Sequence, residues 1–352
     1  MVVGKMASIR DIAKMAGVSA ASVSRILNND ETFSINENTR KRVIDIANKM
    51  NYSKEKNKHG SRSTGDEQTI ALVVRHSAES ELDDPYFRYI RRGIEKEAEK
   101  WRLRVLRVFR MRDKEKDWEQ LSKYGAVVMV GEMTQDAVEK AYSFNQKLIL
   151  VDTYTNYSQY DCIQTDFADK THEILDTLYQ NGHRRFAFIG GLASKVAIDG
   201  QVVRYKEEVR AENFQEWIKL NNLEDCAAVY QGSWSTESGV ALAKEMLAAD
   251  PLPTAVVVAS DPMAVGVYRA INDAGLRIPA DISIVSFDDI DIAQYMTPAL
   301  SSVRMNAEEM GCLAVRLAKE RMLEERIMPI RVICSTELKL RESVKKIIEA
   351  VD

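Results

Sequence analysis

Residues 8–43 read "SIRDIAKMAGVSAASVSRILNNDETFSINENTRKRV", a stretch dense in helix signals and poor in aromatics. Ser8 and Asp11 form an S-x-x-D start, Ile12, Ala13, Met15 and Ala16 supply an apolar face, and Gly17 ends the first helix because it lacks a Cβ. Ser19 caps a second helix, in which Val23, Ile26 and Leu27 recur at helical spacing and turn inward. Ser34 and Glu37 repeat the capping pattern for a third helix, completed by Val43, Ile46, Ala47 and Met50. With those apolar residues inside, Ala21, Arg25 and Asn28 lie on the outer face of the second helix. Two short helices joined by a glycine turn make a helix-turn-helix. Small residues at the start of the second helix let it approach the floor of a groove about 12 Å wide, where Arg25 reaches guanine O6 and N7 as a paired donor. Ser19, Ser22 and Ser24 are short hydroxyls suited to phosphates.

A helix–Gly–helix taken alone is more often a packing unit, and an exposed arginine is ordinarily just solvated. Charge shifts that balance. Residues 1–62 hold 12 Lys/Arg against 6 Asp/Glu, while the whole chain carries −4, so a basic head sits on an acidic body. Such asymmetry points the head alone at a polyanion. Residues 53–68, "SKEKNKHGSRSTGDEQ", contain no aliphatic residue and no Phe, Tyr or Trp, and read as a solvated linker. The organisation is therefore a head at 6–52, a linker at 53–68, a body at 69–341 and a short tail at 342–352.

The body alternates apolar β-branched runs with amphipathic helices. Strands are expected at 69–74, 104–109, 126–131, 147–152, 185–191, 227–232, 254–260 and 281–288, with helices such as Phe87–Trp101, Phe167–Asn181, Thr236–Ala249 and Asp261–Ala274 between them. Continuous apolar strands alternating with helices mean parallel sheets covered on both faces, and some 280 residues exceed one core, so two sheets fit. Small molecules bind such bodies at the carboxyl ends of the strands. Asp152, Asp166, Ser260 with Asp261, and Asp288 stand at those ends, and Trp234 follows the strand ending at Gly232. Carboxylates accept hydrogen bonds from vicinal hydroxyls and an aromatic face covers the C–H side of a pyranose, so the cleft suits a neutral polyol better than an anion. Each residue has a plainer role open to it: Asp261 and Asp289 as helix caps, Trp234 as core, Phe287 as strand packing rather than a stacking surface.

Other classes find little support. The 352 residues are 45% hydrophobic and 29% charged, with no apolar run near the roughly 20 residues a bilayer requires and no signal-peptide core at the N-terminus, so a cytoplasmic, non-membrane protein is expected. Cys162, Cys226, Cys312 and Cys334 read as scattered buried thiols, and His59, His76, His172 and His183 form no ligand spacing; no metal or cofactor is expected. Neither a phosphate loop nor a G-x-S-x-G elbow is present, "GGLASK" is no nucleotide fingerprint, and no catalytic set is expected. Two acids in one cleft could serve a glycosidase, and two lobes a periplasmic sugar carrier, but neither has a use for the head.

The segment "IRDIAKMAGVSAASVSRILNN" resembles the DNA-binding head of the lactose/galactose repressor (LacI/GalR) family. The likeness continues in order through "DPYFRYIRRGIEKEAEK", "NGHRRFAFIGG", "SDPMAVGVYRAINDAGLRIPADISIVSFDD" and "TPALSSVRMNAEEMG", with its galactose and β-galactosidase-operon members the most similar. The resemblance implies an α/β fold with a three-helix head and a two-lobed, periplasmic-binding-protein-like body. It implies Ala20, Ala21 and Arg25 as base-reading positions. It implies Asp152, Arg210, Trp234, Ser260 and Asp288 as effector contacts, with His76, Asp84, Tyr86 and Phe87 lining the N-terminal side of the cleft. The implied partners are double-stranded operator DNA, a small sugar such as galactose or a galactoside, and a second copy of the chain, joined through helices that include Tyr86–Trp101. A different sugar, a purine or a phosphoprotein corepressor is the alternative regulator. The family's hinge pattern Ala-Arg-x-Leu is replaced by Lys58, His59, Gly60 and Ser61, so no standard hinge helix is expected. The 11 residues after Arg341 are too few for a tetramerising coiled coil.

Overall fold

The computed structural model describes residues 9–27, 35–49, 68–77, 85–205 and 208–347. The chain divides into two compact units, Met1–Gly65 and Asp66–Asp352. In the first, α1 (Ile9–Ala16), α2 (Ala20–Leu27) and α3 (Glu37–Lys49) close around Ile12, Ala16, Val23, Ile26, Val43 and Ala47. Gly17 takes φ 65° and ends α1 as expected. Met15 does not join this core: it is 62% exposed, because the buried stripe of Ile12, Ala13 and Ala16 centres roughly 100° of helix rotation away from it. The side chain that starts α3 is Asn36, whose Oδ1 accepts from the Asn38 N–H at 2.9 Å. The expected cap Ser34 lies outside the described residues, as do Asn28, Met50, Asp84 and the hinge positions 58–61.

The second unit contains two six-stranded sheets. The first comprises β1 (Thr69–Val74), β2 (Arg104–Arg110), β3 (Ala126–Val130), β4 (Leu148–Val151), β5 (Asp161–Thr165) and β13 (Arg331–Cys334), in the order β13-β5-β4-β3-β1-β2 and wholly parallel. The second comprises β6 (Phe186–Gly191), β9 (Ala227–Gly232), β10 (Ala255–Val258), β11 (Ser283–Asp288), β12 (Ser301–Arg304) and β14 (Glu337–Lys339), in the order β14-β12-β11-β10-β6-β9, parallel except where β14 meets β12. Helices α4 (Pro85–Lys100), α5 (Gln135–Phe144), α6 (Phe167–Gln180), α7 (Val209–Leu220), α8 (Thr236–Met246), α9 (Asp261–Asp273) and α10 (Ala307–Met322) cover them. Because side chains alternate along a strand, Ile70, Leu72 and Val74 of β1 enter one core while Ala71 and Val73 enter another; Ala255 and Val257 of β10 part from Val256 and Val258 in the same way. Both faces of the inner strands β1, β3, β4, β6 and β10 are buried, which explains their unbroken apolar runs.

Six strands are too short or too polar to show as apolar runs: β5, β12, β13, β14 and the hairpin of β7 (Ser194–Val196) with β8 (Val202–Arg204). Among the described residues the chain passes between sheets after β5, after β12 and after β13. Asp166 belongs to this crossing rather than to the cleft, for its carboxylate accepts from the Thr336 N–H at 3.1 Å and hydroxyl at 2.7 Å. The body also extends past residue 341. Ser343 is fully buried, accepting from the Ser301 N–H at 2.8 Å and donating to the Ile284 carbonyl at 2.6 Å. Cys162 and Cys312 are buried, Cys334 is half-buried and Cys226 is exposed, so the expectation of four buried thiols holds for only two.

Candidate functional site

In the head, Ser19 accepts from the Ser22 N–H at 3.0 Å and so caps α2. Val23 and Ile26 are buried, which fixes the helix rotation and leaves Ser19, Ala20, Ala21 and Arg25 exposed, with Ser22 and Ser24 half-buried beside them. The outer face thus presents two methyl groups, one guanidinium and short hydroxyls, with the helix N-terminus and its unpaired N–H groups at the same end.

In the body, a cavity of about 590 Å³ lies between the two sheets' carboxyl ends. His76, Tyr86, Phe87, Asp152, Arg210, Trp234, Ser260 and Asp288 all line it; Asp84 lies outside the described residues. Asp152 follows β4 at φ 59° and Asp288 ends β11 at φ 106°, left-handed values that turn each carboxylate out of its strand. Asp152 Oδ1 accepts from the Tyr86 and Tyr154 hydroxyls, each at 3.1 Å. Burial pushes its pKa up to about 6, against the opposing pull of the two phenols. Arg210, near the start of α7, donates to Glu208 at 2.8 Å and to the Ala259 carbonyl at 2.7 Å. Its guanidinium rests over Phe167 at 4.3 Å and Trp234 at 5.0 Å. Trp234 packs directly on Gly191, where a Cβ would meet the indole at 2.2 Å, and donates to the Leu192 carbonyl at 3.0 Å. Ser260 is the N-cap residue of α9.

Three neighbours prove structural. Asp261 is no helix cap but a buried acceptor for the Ser286 and Ser302 hydroxyls and for the Ile290 N–H at 2.8 Å. Asp289, likewise offered as a cap, pairs with Arg304 at 2.8 Å and with Arg341. Phe287 is fully buried and packs edge-on against Phe167, so it is strand packing.

The cavity also holds Arg75, Arg112, Glu132, Tyr154, Lys195, Tyr205 and Glu208, which the sequence reading did not select. Glu132 accepts from the Tyr154 N–H at 2.5 Å and faces Lys195 at 3.9 Å. Lys195, Ser194 and Tyr205 come from the β7–β8 hairpin and its flank. This hairpin follows a strand of the second sheet but bonds to the first lobe: Thr134 N–H to the Val196 carbonyl at 3.1 Å, Val196 N–H to the Glu132 carbonyl at 3.3 Å, and Lys195 Nζ to Thr155 Oγ1 at 2.7 Å. It closes one side of the cavity. Among the described residues no His, Cys, Asp or Glu cluster could hold a metal, and no helix is long and apolar enough to cross a membrane.

Residues 8–55 match the family model "Bacterial regulatory proteins, lacI family", and residues 175–344 match "Periplasmic binding protein-like domain". The HTH-type transcriptional regulator GalR of Streptococcus thermophilus is 31% identical, with 97% of this chain and 100% of the relative covered. The HTH-type transcriptional repressor MelR of Bacillus subtilis is 33% identical over 96% and 97%. The HTH-type transcriptional repressor PurR of Pasteurella multocida is 30% identical over 97% and 99%. Among solved structures, the complex of transcriptional regulator CelR with cellobiose superposes with a TM-score of 0.67 at 23% identity, covering 96% of this chain and 100% of that one. That likeness bears on the fold.

Proposed function

This chain belongs to the LacI family of bacterial regulatory proteins and is a transcriptional regulator rather than an enzyme; on that premise we propose that it is a cytoplasmic, homodimeric repressor of sugar-utilisation genes, released from operator DNA by a galactose-class sugar held in the interlobe cavity. One observation carries the sugar reading. His76 after β1, Asp152 after β4, Trp234 after β9, Ser260 after β10 and Asp288 at the end of β11 come from five strands of both sheets and converge on one cavity. A carboxylate held by two phenols, a second turned carboxylate and an indole face are the groups that grip hydroxyls and C–H surfaces. The relatives' names GalR and MelR, and the cellobiose in the CelR complex, support a sugar; the relative named PurR supports the purine alternative.

In the head, Ala20 and Ala21 admit α2 to the major groove, Arg25 reads a guanine, and Ser19, Ser22, Ser24 and Asn28 meet phosphates or base edges. A dimer sets two heads on half-sites about one helical turn apart. Sugar in the cavity changes the angle between lobes, and loss of simultaneous engagement lowers apparent affinity by about 10² or more. The test uses a duplex selected by the full chain from a random pool, followed by fluorescence anisotropy with galactose, lactose, glucose and adenine. A sugar should release the wild-type protein, and Asp288→Ala should bind the duplex yet resist release. Release by adenine alone, or undiminished release of Asp288→Ala, contradicts the sugar site.

A further inference from the structure

One end of the cavity carries two arginines, Arg75 and Arg112, with no described carboxylate in ion-pair contact with Arg75. Arg75 directly follows β1, and its stem is seated against Gly131, where a Cβ would come 2.9 Å from Arg75 Cβ. Gly131 itself stands at φ 92°, so a side chain there is disfavoured twice. One terminal nitrogen of Arg75 donates to the Ser194 hydroxyl of the β7–β8 hairpin, and Arg75 makes no ion pair with a described carboxylate. Burial pulls its pKa below the ordinary arginine value and outweighs the opposing charges of Asp152, Tyr205 and Glu132.

Arg112, two residues past β2, lines the same cavity. His76 lies within the field of both arginines: burial, then Arg75 and Arg112, draw its pKa down to about 3, so it is neutral in the cell. Its ring stacks on Phe87 at 3.8 Å, and its buried Nε2 has no hydrogen-bond partner among the described residues. The third cation nearby is already engaged, for Lys195 is bound to Thr155 and faces Glu132. The nearby carboxylates are engaged as well: Asp152 by two phenols, Glu132 by the Tyr154 amide, and Glu208 by Arg210 and the first amides of α7.

A guanidinium withdrawn from water with no carboxylate in direct contact is costly, and its planar fork matches the paired oxygens of a carboxylate or phosphate. We propose that Arg75 and Arg112 form an anion subsite, and that the effector is a sugar bearing an acidic group, a phosphate or a carboxylate. This rests on the reading of the cavity as a sugar site, and it departs from the expectation that the cleft suits a neutral polyol better than an anion. The hydroxyl-bearing ring lies toward Asp152 and Trp234, the acid toward Arg75.

Calorimetric titration of the full chain tests it, using galactose, galactose 6-phosphate, galacturonate, glucose, glucose 6-phosphate and inorganic phosphate. An acidic sugar should bind at least tenfold more tightly than its neutral parent, and the phosphate and uronate arms identify which acid. Arg75→Gln should bring that ratio to about one, Arg75→Lys should retain part of it, and both variants should still bind the selected duplex, which certifies their folding. Inorganic phosphate that competes with the acidic sugar in the wild type but not in Arg75→Gln supports the subsite independently of the sugar. Neutral sugars that bind as tightly as their acidic partners overturn the subsite and leave the sugar site standing. Failure of every sugar, acidic or neutral, overturns the sugar reading and this inference with it.

Discussion

Asp152 and Asp161 flank a single loop of the first lobe and are both buried, yet the fold treats them in opposite ways. Asp161 is gripped by Arg321 at 2.8 Å, by Arg326 at 2.7 Å and by the Ile330 N–H at 2.8 Å. Burial alone would push its pKa up, but these bonds prevail and hold it below the usual aspartate value. Asp152 has two phenols and no ion pair with a described residue, and burial prevails there. The cations differ in the same way, Arg326 being doubly paired through Asp161 and Glu320 while Arg75 meets a hydroxyl. A structural charge is completed by the chain itself. A site is where the chain stops short and leaves a guest to complete it.

The largest expected effect comes from the completed member. Asp161→Asn leaves Arg321 and Arg326 facing a neutral amide, and should cost about 3–5 kcal/mol in urea denaturation at pH 7.5. Because its folded pKa is lowered, the Asp161 contribution is present above the unfolded value near 4 and fades as pH falls through the folded one. Asp152→Asn should act in the opposite direction. A carboxyl whose folded pKa is about 6 makes its ionised form a burden above pH 4. Removing it should stabilise the unliganded body by about 1–3 kcal/mol at pH 7.5 while weakening binding of the guest. Destabilisation of both variants alike would erase the contrast. The smallest effect belongs to Tyr86→Phe, which deletes one of two donors to Asp152 and should cost about 1 kcal/mol in stability. In NMR titration the Asp152 carboxyl should then ionise at higher pH than in the wild type.

How far the sequence reached follows the same line. Strand ends are recognisable from apolar runs, so Asp152, Trp234, Ser260 and Asp288 were legible where they stand. Arg75, Arg112 and Glu132 stand one or two residues past β1, β2 and β3 at the same ends, and the sequence reading did not select them. Asp166 and Asp261 also sit at strand ends but turn toward chain crossings and buried serines, a direction no linear pattern encodes. The β7–β8 hairpin was hidden for another reason: its strands are three residues each, and its anchoring bonds run to Glu132 and Thr134 of the other lobe. In the head, helical spacing placed Val23 and Ile26 correctly, while Met15 shows that a methionine in a short helix need not share the apolar face.

Proton exchange on binding tests most directly whether the guest completes what the fold leaves open. Calorimetry of the full chain with the sugar that releases the duplex, near pH 6 and in two buffers of different ionisation enthalpy, counts the protons exchanged. The carboxylate form of Asp152 accepts the guest's hydroxyls, so binding should expel a substantial fraction of a proton per site beyond whatever the guest's own acid exchanges, affinity should fall at least tenfold between pH 7 and pH 5, and Asp152→Asn should lack that Asp152 fraction. Binding with no proton released, or with the same release in Asp152→Asn, would contradict the account.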